Sequence, residues 1–176
     1  FKKFNPVAKN VYIKIPINPG LAGESGKEFE GIRAISELHR AKIPINCTLI
    51  FTPEQALAAA KAGANFVSPF TGRIDDMLRK GHGAEFANFS KEDYYPLNGH
   101  SHDGHMLEDN GIVSGIDLVA QIVTVFRKHS IKSEVLAASL RNSRQVREAA
   151  IVGADIATMP FGVFKSLMGH KLTEEG

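Results

Sequence analysis

The stretch Thr52-Pro53-Glu54-Gln55-Ala56-Leu57-Ala58-Ala59-Ala60-Lys61-Ala62-Gly63-Ala64-Asn65-Phe66-Val67-Ser68 decides the fold class. Thr52 is a good helix N-cap, Pro53 suits the first helical position, and Gln55 stands three residues after the cap, a capping-box arrangement. Gly63 falls where a helix C-terminus needs a left-handed residue. A strand-like run at 65–69 follows. The signature returns 90 residues later, where Gln145, Ala149, Ala150, Gly153 and Ala154 repeat Gln55, Ala59, Ala60, Gly63 and Ala64. Ser68 maps onto Thr158, after which the second copy has one extra residue before its Pro-Phe. Each copy reads strand, turn, helix, Gly-Ala, strand. Repeated units of this kind predict a parallel α/β architecture, with a barrel ahead of an open sheet.

Outward from these copies, strand-like runs are expected near 11–15, 45–50, 65–69, 134–138 and 155–159. Helices are expected near 27–41, 53–62, 114–129, 143–151 and 162–168. Phe29, Ile32, Ile35 and Leu38 recur at helical spacing, as do Ile116, Val119, Ile122, Val123 and Phe126. Five strands are too few to close a (β/α)8 barrel. The chain opens at Phe1 rather than Met and stops at Gly176, in what reads as the start of another helix. One barrel domain over 1–176, a segment of a longer protein truncated at both ends, is therefore the expectation.

The totals narrow the class. A chain of 176 residues with 43% hydrophobic and 23% charged residues suits one globular domain with a real core. A net charge of +2 gives no argument for nucleic acid or an anionic membrane. No apolar run approaches the roughly 20 residues that span a bilayer, and no secretory leader is read. The one cysteine, Cys47, cannot form an internal disulfide, which suits a reducing cytosol and a cytoplasmic protein. It sits in an apolar run and reads as a small core residue.

Between Lys80 and Asn110 the pattern lapses into an inserted loop region with His82, His100, His102 and His105. His100, His102, His105 and Asp103 offer zinc-type ligands, but without cysteine or a defined scaffold a solvated loop is the better expectation.

Lys14 is the most informative single residue. It stands in Val11-Tyr12-Ile13-Lys14-Ile15-Pro16, so that Val11, Ile13 and Ile15 share one face while Tyr12 and Lys14 share the other. The run is apolar on both sides of the lysine, as in a strand buried on both faces. A buried amine loses its proton more readily, and a neutral amine attacks a carbonyl to form a Schiff base. The alternative is a lysine that reaches its ammonium to water or pairs with a carboxylate. In parallel barrels the chemistry sits at the C-terminal strand ends. Asn46 and Thr48 alternate onto one face of the strand at 45–50. Ser68 and Phe70 end the next, with Arg73 after them, and Ser139 and Arg141 follow the strand at 134–138. Two arginines and a serine near one rim suit a phosphate, because a guanidinium matches phosphate oxygens two at a time; either arginine alone reads as a surface salt bridge.

Val-Tyr-Ile-Lys-Ile-Pro (11–16), Ile-Asn-Cys-Thr-Leu-Ile-Phe (45–51), Ala-Gly-Ala-Asn-Phe-Val-Ser-Pro-Phe-Thr-Gly-Arg-Ile-Asp (62–75) and Val-Leu-Ala-Ala-Ser-Leu-Arg (135–141) resemble the successive core motifs of transaldolases. The resemblance runs from about Asn10 to the C-terminus, with 80–110 as the main departure. It implies a class I Schiff-base enzyme on a (β/α)8 TIM barrel, of which this chain supplies roughly strands 4 to 8. Carried over residue by residue, it makes Lys14 the Schiff-base lysine and has Thr48 help hold the catalytic water. Asn46 would bond a substrate hydroxyl or the carbinolamine, Ser68 and Phe70 would line the pocket, and Arg73, Ser139 and Arg141 would bind the sugar phosphate. The family's acid/base aspartate and water-orienting glutamate, on its first and third strands, would precede Phe1.

The activity implied is transfer of a dihydroxyacetone unit between sugar phosphates in the pentose phosphate pathway. Fructose 6-phosphate, sedoheptulose 7-phosphate, erythrose 4-phosphate and glyceraldehyde 3-phosphate are the partners, in a homo-oligomer with no metal, no cofactor, no nucleic acid and no membrane. Related fructose-6-phosphate aldolases carry tyrosine where this chain has Phe70, which favours transfer over release of free dihydroxyacetone. The alternatives are that aldolase and, from another class, a non-catalytic barrel fragment or His-rich metal-binding module.

Overall fold

The computed structural model of the chain describes residues 3, 10–18, 26–81 and 89–176. In chain order the elements begin with β1 (Ile13–Pro16), α1 (Glu30–Arg40), β2 (Ile45–Ile50), α2 (Pro53–Ala62), β3 (Phe66–Pro69) and α3 (Thr71–Gly81). A short pair follows, β4 (Ser101–His102) and β5 (His105–Met106). The remainder are α4 (Gly115–Lys128), β6 (Glu134–Ala137), α5 (Ser143–Ile151), β7 (Ile156–Ala157), α6 (Phe161–Ser166) and α7 (Lys171–Glu175). They fall into two compact units, Phe1–Pro69 with Gln121–Leu136, and Phe70–Ala120 with Ala137–Gly176. No helix among the described residues is long and apolar enough to cross a membrane.

The first unit holds the expected parallel sheet. β1 pairs with β2, β2 with β3, and β3 with β6, all parallel. Ile45, Cys47 and Val67 are wholly buried on one face, and Val135 almost so. Helices α1 and α2 pack on these strands, burying Ile35, Ala56 and Ala59. Between Cys47 and Ile50 three steps of β2 oppose two of β3, with Leu49 in the left-handed region at φ 59°. This bulge returns Ile50 to the buried face. At Gly31 a Cβ would run into the carbonyl groups of Pro16 and Ile17, so α1 closes on the end of β1 only because that residue is glycine.

The first copy of the repeat caps its helix as expected. The Thr52 hydroxyl accepts from the Gln55 N–H at 3.2 Å, and the Gln55 side-chain oxygen accepts from the Phe51 N–H at 2.8 Å. The second copy matches it: Asn142 accepts from Gln145 N–H at 2.9 Å, and Gln145 Oε1 accepts from Arg141 N–H at 2.8 Å. Gly63 and Gly153 both have positive φ.

In the second unit Phe70 bridges Ala138 in parallel fashion, and the Ala138 carbonyl accepts from both the N–H and the hydroxyl of Thr71. Thr158 N–H reaches the Ala137 carbonyl at 3.0 Å, which places β7 beside the end of β6. Helix α3 went unread in the sequence because its buried side mixes Ile74 and Leu78 with Asp75 and Arg79, so its apolar period is half polar. The Arg79 guanidinium lies over the rings of Phe89 and Tyr95 and donates to the carbonyls of Asp93 and Tyr94. It thereby anchors the stretch after residue 89. Within 80–110 the described residues carry structure as well: β4 and β5 form an antiparallel hairpin whose Asp103-Gly104 turn has positive φ at both positions, as a two-residue hairpin requires. Phe29, expected on the apolar stripe of α1, is 68% exposed at its N-cap, outside the packed face.

Candidate active site

Register sets the arrangement in the first unit. Lys14 lies opposite Asn46, and Asn46 opposite Phe66. Paired residues of parallel strands share a face, as do residues two apart, so Lys14, Asn46, Thr48 and Ser68 belong to one side of the sheet. The Ser68 hydroxyl donates to Asn46 Oδ1 at 2.6 Å, leaving the amide NH₂ as the donating end of Asn46. Thr48 is buried, and its hydroxyl has no hydrogen-bond partner among the described residues. Towards the N-terminal end of the same face, Tyr12 stacks on Phe66 with ring centroids 4.4 Å apart.

Lys14 departs from expectation in one respect. A strand buried on both faces was anticipated, whereas Lys14 is exposed. The reason is that β1 ends the strand order and pairs with β2 alone among the described strands. Cys47 is the core residue expected: burial pushes its thiol up to about 12, so it stays protonated and is no nucleophile.

The second unit gathers the other expected residues in its own network. The Arg73 guanidinium lies 5.6 Å from the Phe70 ring centroid. Ser139 occupies the left-handed region at φ 62°, which turns the chain between β6 and α5. Arg141 is held by a carboxylate absent from the sequence reading: its Nη1 and Nη2 donate to Oδ1 and Oδ2 of Asp76 at 2.5 and 2.7 Å. Behind it, Gln145 Nε2 donates to Asp75 Oδ2 at 2.7 Å, and Gly115 N–H at the start of α4 donates to Asp75 Oδ1 at 2.7 Å. Burial pushes the Asp75 carboxyl up to about 6, opposed by the Gly115 bond, Arg79, Gln145 and Arg141. The signal available for these residues was Asp75-Asp76 itself, two adjacent carboxylates directly after Arg73-Ile74.

A cavity of about 490 Å³ in this unit is bounded by Arg141, Asn142, Ser143, Ser166 and Glu92. Another, of about 440 Å³, belongs to the first unit and touches Tyr12, His39, Lys61 and Lys132. It opens at the N-terminal strand ends, away from the C-terminal ends where α/β folds bind ligands, and holds none of the expected site residues. Among the described residues no three His, Cys, Asp or Glu side chains gather as metal ligands. His100 stands edge-on to Tyr95 instead, and His102 and His105 pair across the hairpin. His82 lies outside the described residues.

The family model described as Transaldolase/Fructose-6-phosphate aldolase matches residues 2–176. A protein of Desulfatibacillum aliphaticivorans named "Probable transaldolase" is 41% identical over 99% of this chain and 61% of its own length. Proteins of the same name from Chlorobium chlorochromatii and Thermoplasma acidophilum are 42% and 37% identical, over 84% and 99% of this chain and 51% and 59% of theirs. The chain thus spans between half and two thirds of the length of these relatives. A solved structure of mandelate oxidase aligns with 73% of this chain and 28% of its own at 19% identity and a TM-score of 0.42.

Proposed function

Because the chain belongs to the transaldolase/fructose-6-phosphate aldolase family, we propose that it carries the lysine-bearing part of a (β/α)8 barrel and acts as a transaldolase. Lys14 Nζ attacks the C2 ketone of fructose 6-phosphate or sedoheptulose 7-phosphate, and the carbinolamine loses water to give an iminium ion. The C3–C4 bond then breaks. Its electron pair moves into the iminium, the C4 hydroxyl gives up its proton, and glyceraldehyde 3-phosphate or erythrose 4-phosphate leaves as the aldehyde. The three-carbon enamine that remains adds to an acceptor aldehyde, and water releases the product and regenerates the amine. With the iminium as electron sink, this chemistry calls for no metal or organic cofactor.

The observation that carries the reading is the shared face of β1, β2 and β3. Asn46, its carbonyl occupied by Ser68, turns N–H donors to a substrate or carbinolamine oxygen opposite Lys14. Thr48 brings a buried hydroxyl in need of a partner, which suits the water that adds to and leaves the iminium. Arg73, Ser139 and Arg141 are assigned to the sugar phosphate on family resemblance. A cytoplasmic location fits substrates of this kind.

Borohydride trapping of the full-length protein with fructose 6-phosphate, followed by peptide mass spectrometry, tests this. A reduced adduct on Lys14, absent from Lys14→Met, is expected. An adduct elsewhere, or turnover surviving in Lys14→Met, overturns the assignment. Loss of nucleophile should lower the rate by about three orders of magnitude or more. Assay with and without an acceptor aldehyde separates transfer, which the phenylalanine at position 70 favours, from release of free dihydroxyacetone.

A further inference from the structure

Arg141 is fixed at three points, one from α5 and two from α3. Its backbone N–H is taken by Gln145 Oε1 at 2.8 Å, and Gln145 is itself fixed by Asp75, which Gly115 N–H holds to the start of α4. Its guanidinium is taken by both oxygens of Asp76, from a residue 65 positions away in the chain. Both side chains are largely withdrawn from solvent, at 16% and 17% exposed. The third point is steric. A Cβ built on Gly72 would lie 2.5 Å from the Ser139 carbonyl oxygen and 2.6 Å from Arg141 Nε, so the arginine side chain runs directly over the backbone of α3. Gly72 and Asp76 are one helical turn apart and share a face of α3. One face of one helix therefore supplies both the floor under the arginine and its anchor.

We propose that Asp76, with Gly72 beneath the side chain, is a positioning residue that fixes the Arg141 guanidinium for the phosphate of the substrate. The proposal rests on the assignment of Arg141 to the sugar phosphate made above. The two bonds to Asp76 use two of the five N–H donors of the guanidinium. Three remain in the same plane, and Arg141 borders the 490 Å³ cavity together with Asn142, Ser143 and Ser166. An arginine already immobilised loses little rotamer freedom when an anion arrives, so its donors act at full strength.

Asp76 also carries a negative charge, which by itself repels a phosphate, and Glu92 borders the same cavity with another. The two effects have opposite signs. If Asp76 merely balanced the charge of Arg141, its removal would strengthen anion binding. If it positions the guanidinium, removal weakens binding despite the gain in positive charge.

Inorganic phosphate titrated calorimetrically into the full-length protein decides between them. Asp76→Asn should weaken phosphate binding about tenfold, the scale of one released arginine side chain, and raise KM for fructose 6-phosphate more than it lowers kcat. Asp76→Glu, which keeps the charge and reaches further, should recover part of the loss. Asp76→Ala, which removes the carboxylate and puts no bulk in its place, serves if Asp76→Asn does not fold. Phosphate binding unchanged or tighter in Asp76→Asn, or in Asp76→Ala where only that variant folds, overturns the proposal. A wild-type protein that binds no phosphate yet still forms the Lys14 adduct overturns it too, along with the anion role of Arg141, and leaves the Schiff-base reading intact.

Discussion

The turn that precedes α2 and the turn that precedes α5 are copies of one device, yet they are put to different use. In each, a glutamine three residues after the cap accepts the N–H of the residue just before it, Phe51 in one case and Arg141 in the other. Around Gln55 the arrangement ends there: its amide is half-buried and its work is local. Gln145 is 2% exposed, and its NH₂ continues inward to the buried carboxylate of Asp75, 70 residues away. The comparison teaches that a local capping device becomes part of a long-range network when the other half of its amide is buried against a charge.

Substitution of the two glutamines is the sharpest way to break that parallel. Gln145→Leu leaves the Arg141 N–H and an oxygen of Asp75 without their partner, and should cost about 3 kcal/mol or more in urea unfolding. A cost near that of Gln55→Leu would show that Asp75 contributes nothing through this bond.

The next effect is one of pH. The Asp75 carboxyl is raised in the folded protein to about 6 from an ordinary 3.8, so between about pH 4 and pH 6 the folded state binds the extra proton. Stability from this group therefore falls as pH rises through that window, by up to about 3 kcal/mol, and is level above it. Asp75→Asn should lose this slope relative to wild type in unfolding curves taken at pH 4, 5, 6 and 7. An unchanged difference across those curves would mean that Asp75 titrates normally.

Gln55→Leu should cost only about 1 kcal/mol, the value of one partly exposed cap bond. The smallest effect on stability is expected at Thr48→Val. It removes a hydroxyl that the fold leaves unpartnered, so stability should hold or rise by less than about 1 kcal/mol. Release of the trapped three-carbon intermediate by water should nevertheless slow. A clear loss of stability would show that the Thr48 hydroxyl is structural.

Much of this molecule is legible in its sequence, for identifiable reasons. Strands β2, β3 and β6 and helices α2, α4 and α5 announce themselves through period, caps and glycine stops, all of which act within a few residues. The face shared by Lys14, Asn46, Thr48 and Ser68 follows from two-residue alternation once the strands are set in register. Helix α3 escaped because Asp75 and Arg79 stand among its buried residues. The hairpin at Ser101–Met106 escaped because each of its strands is only two residues long, too short to show alternation. Asp76 and Gly72 gave no local sign of their tie to Arg141.

Residue by residue, then, the sequence by itself determined the α/β class, the repeated cap-and-stop units and which strand residues share a face, because backbone dihedrals and side-chain alternation are local properties. Tertiary structure decided which carboxylate Arg141 meets, that Asp75 is buried enough to be pushed up, and that glycine is required at 31 and 72. Those outcomes depend on desolvation and on distances between segments as much as 70 residues apart, and neither is encoded in any short window of the chain.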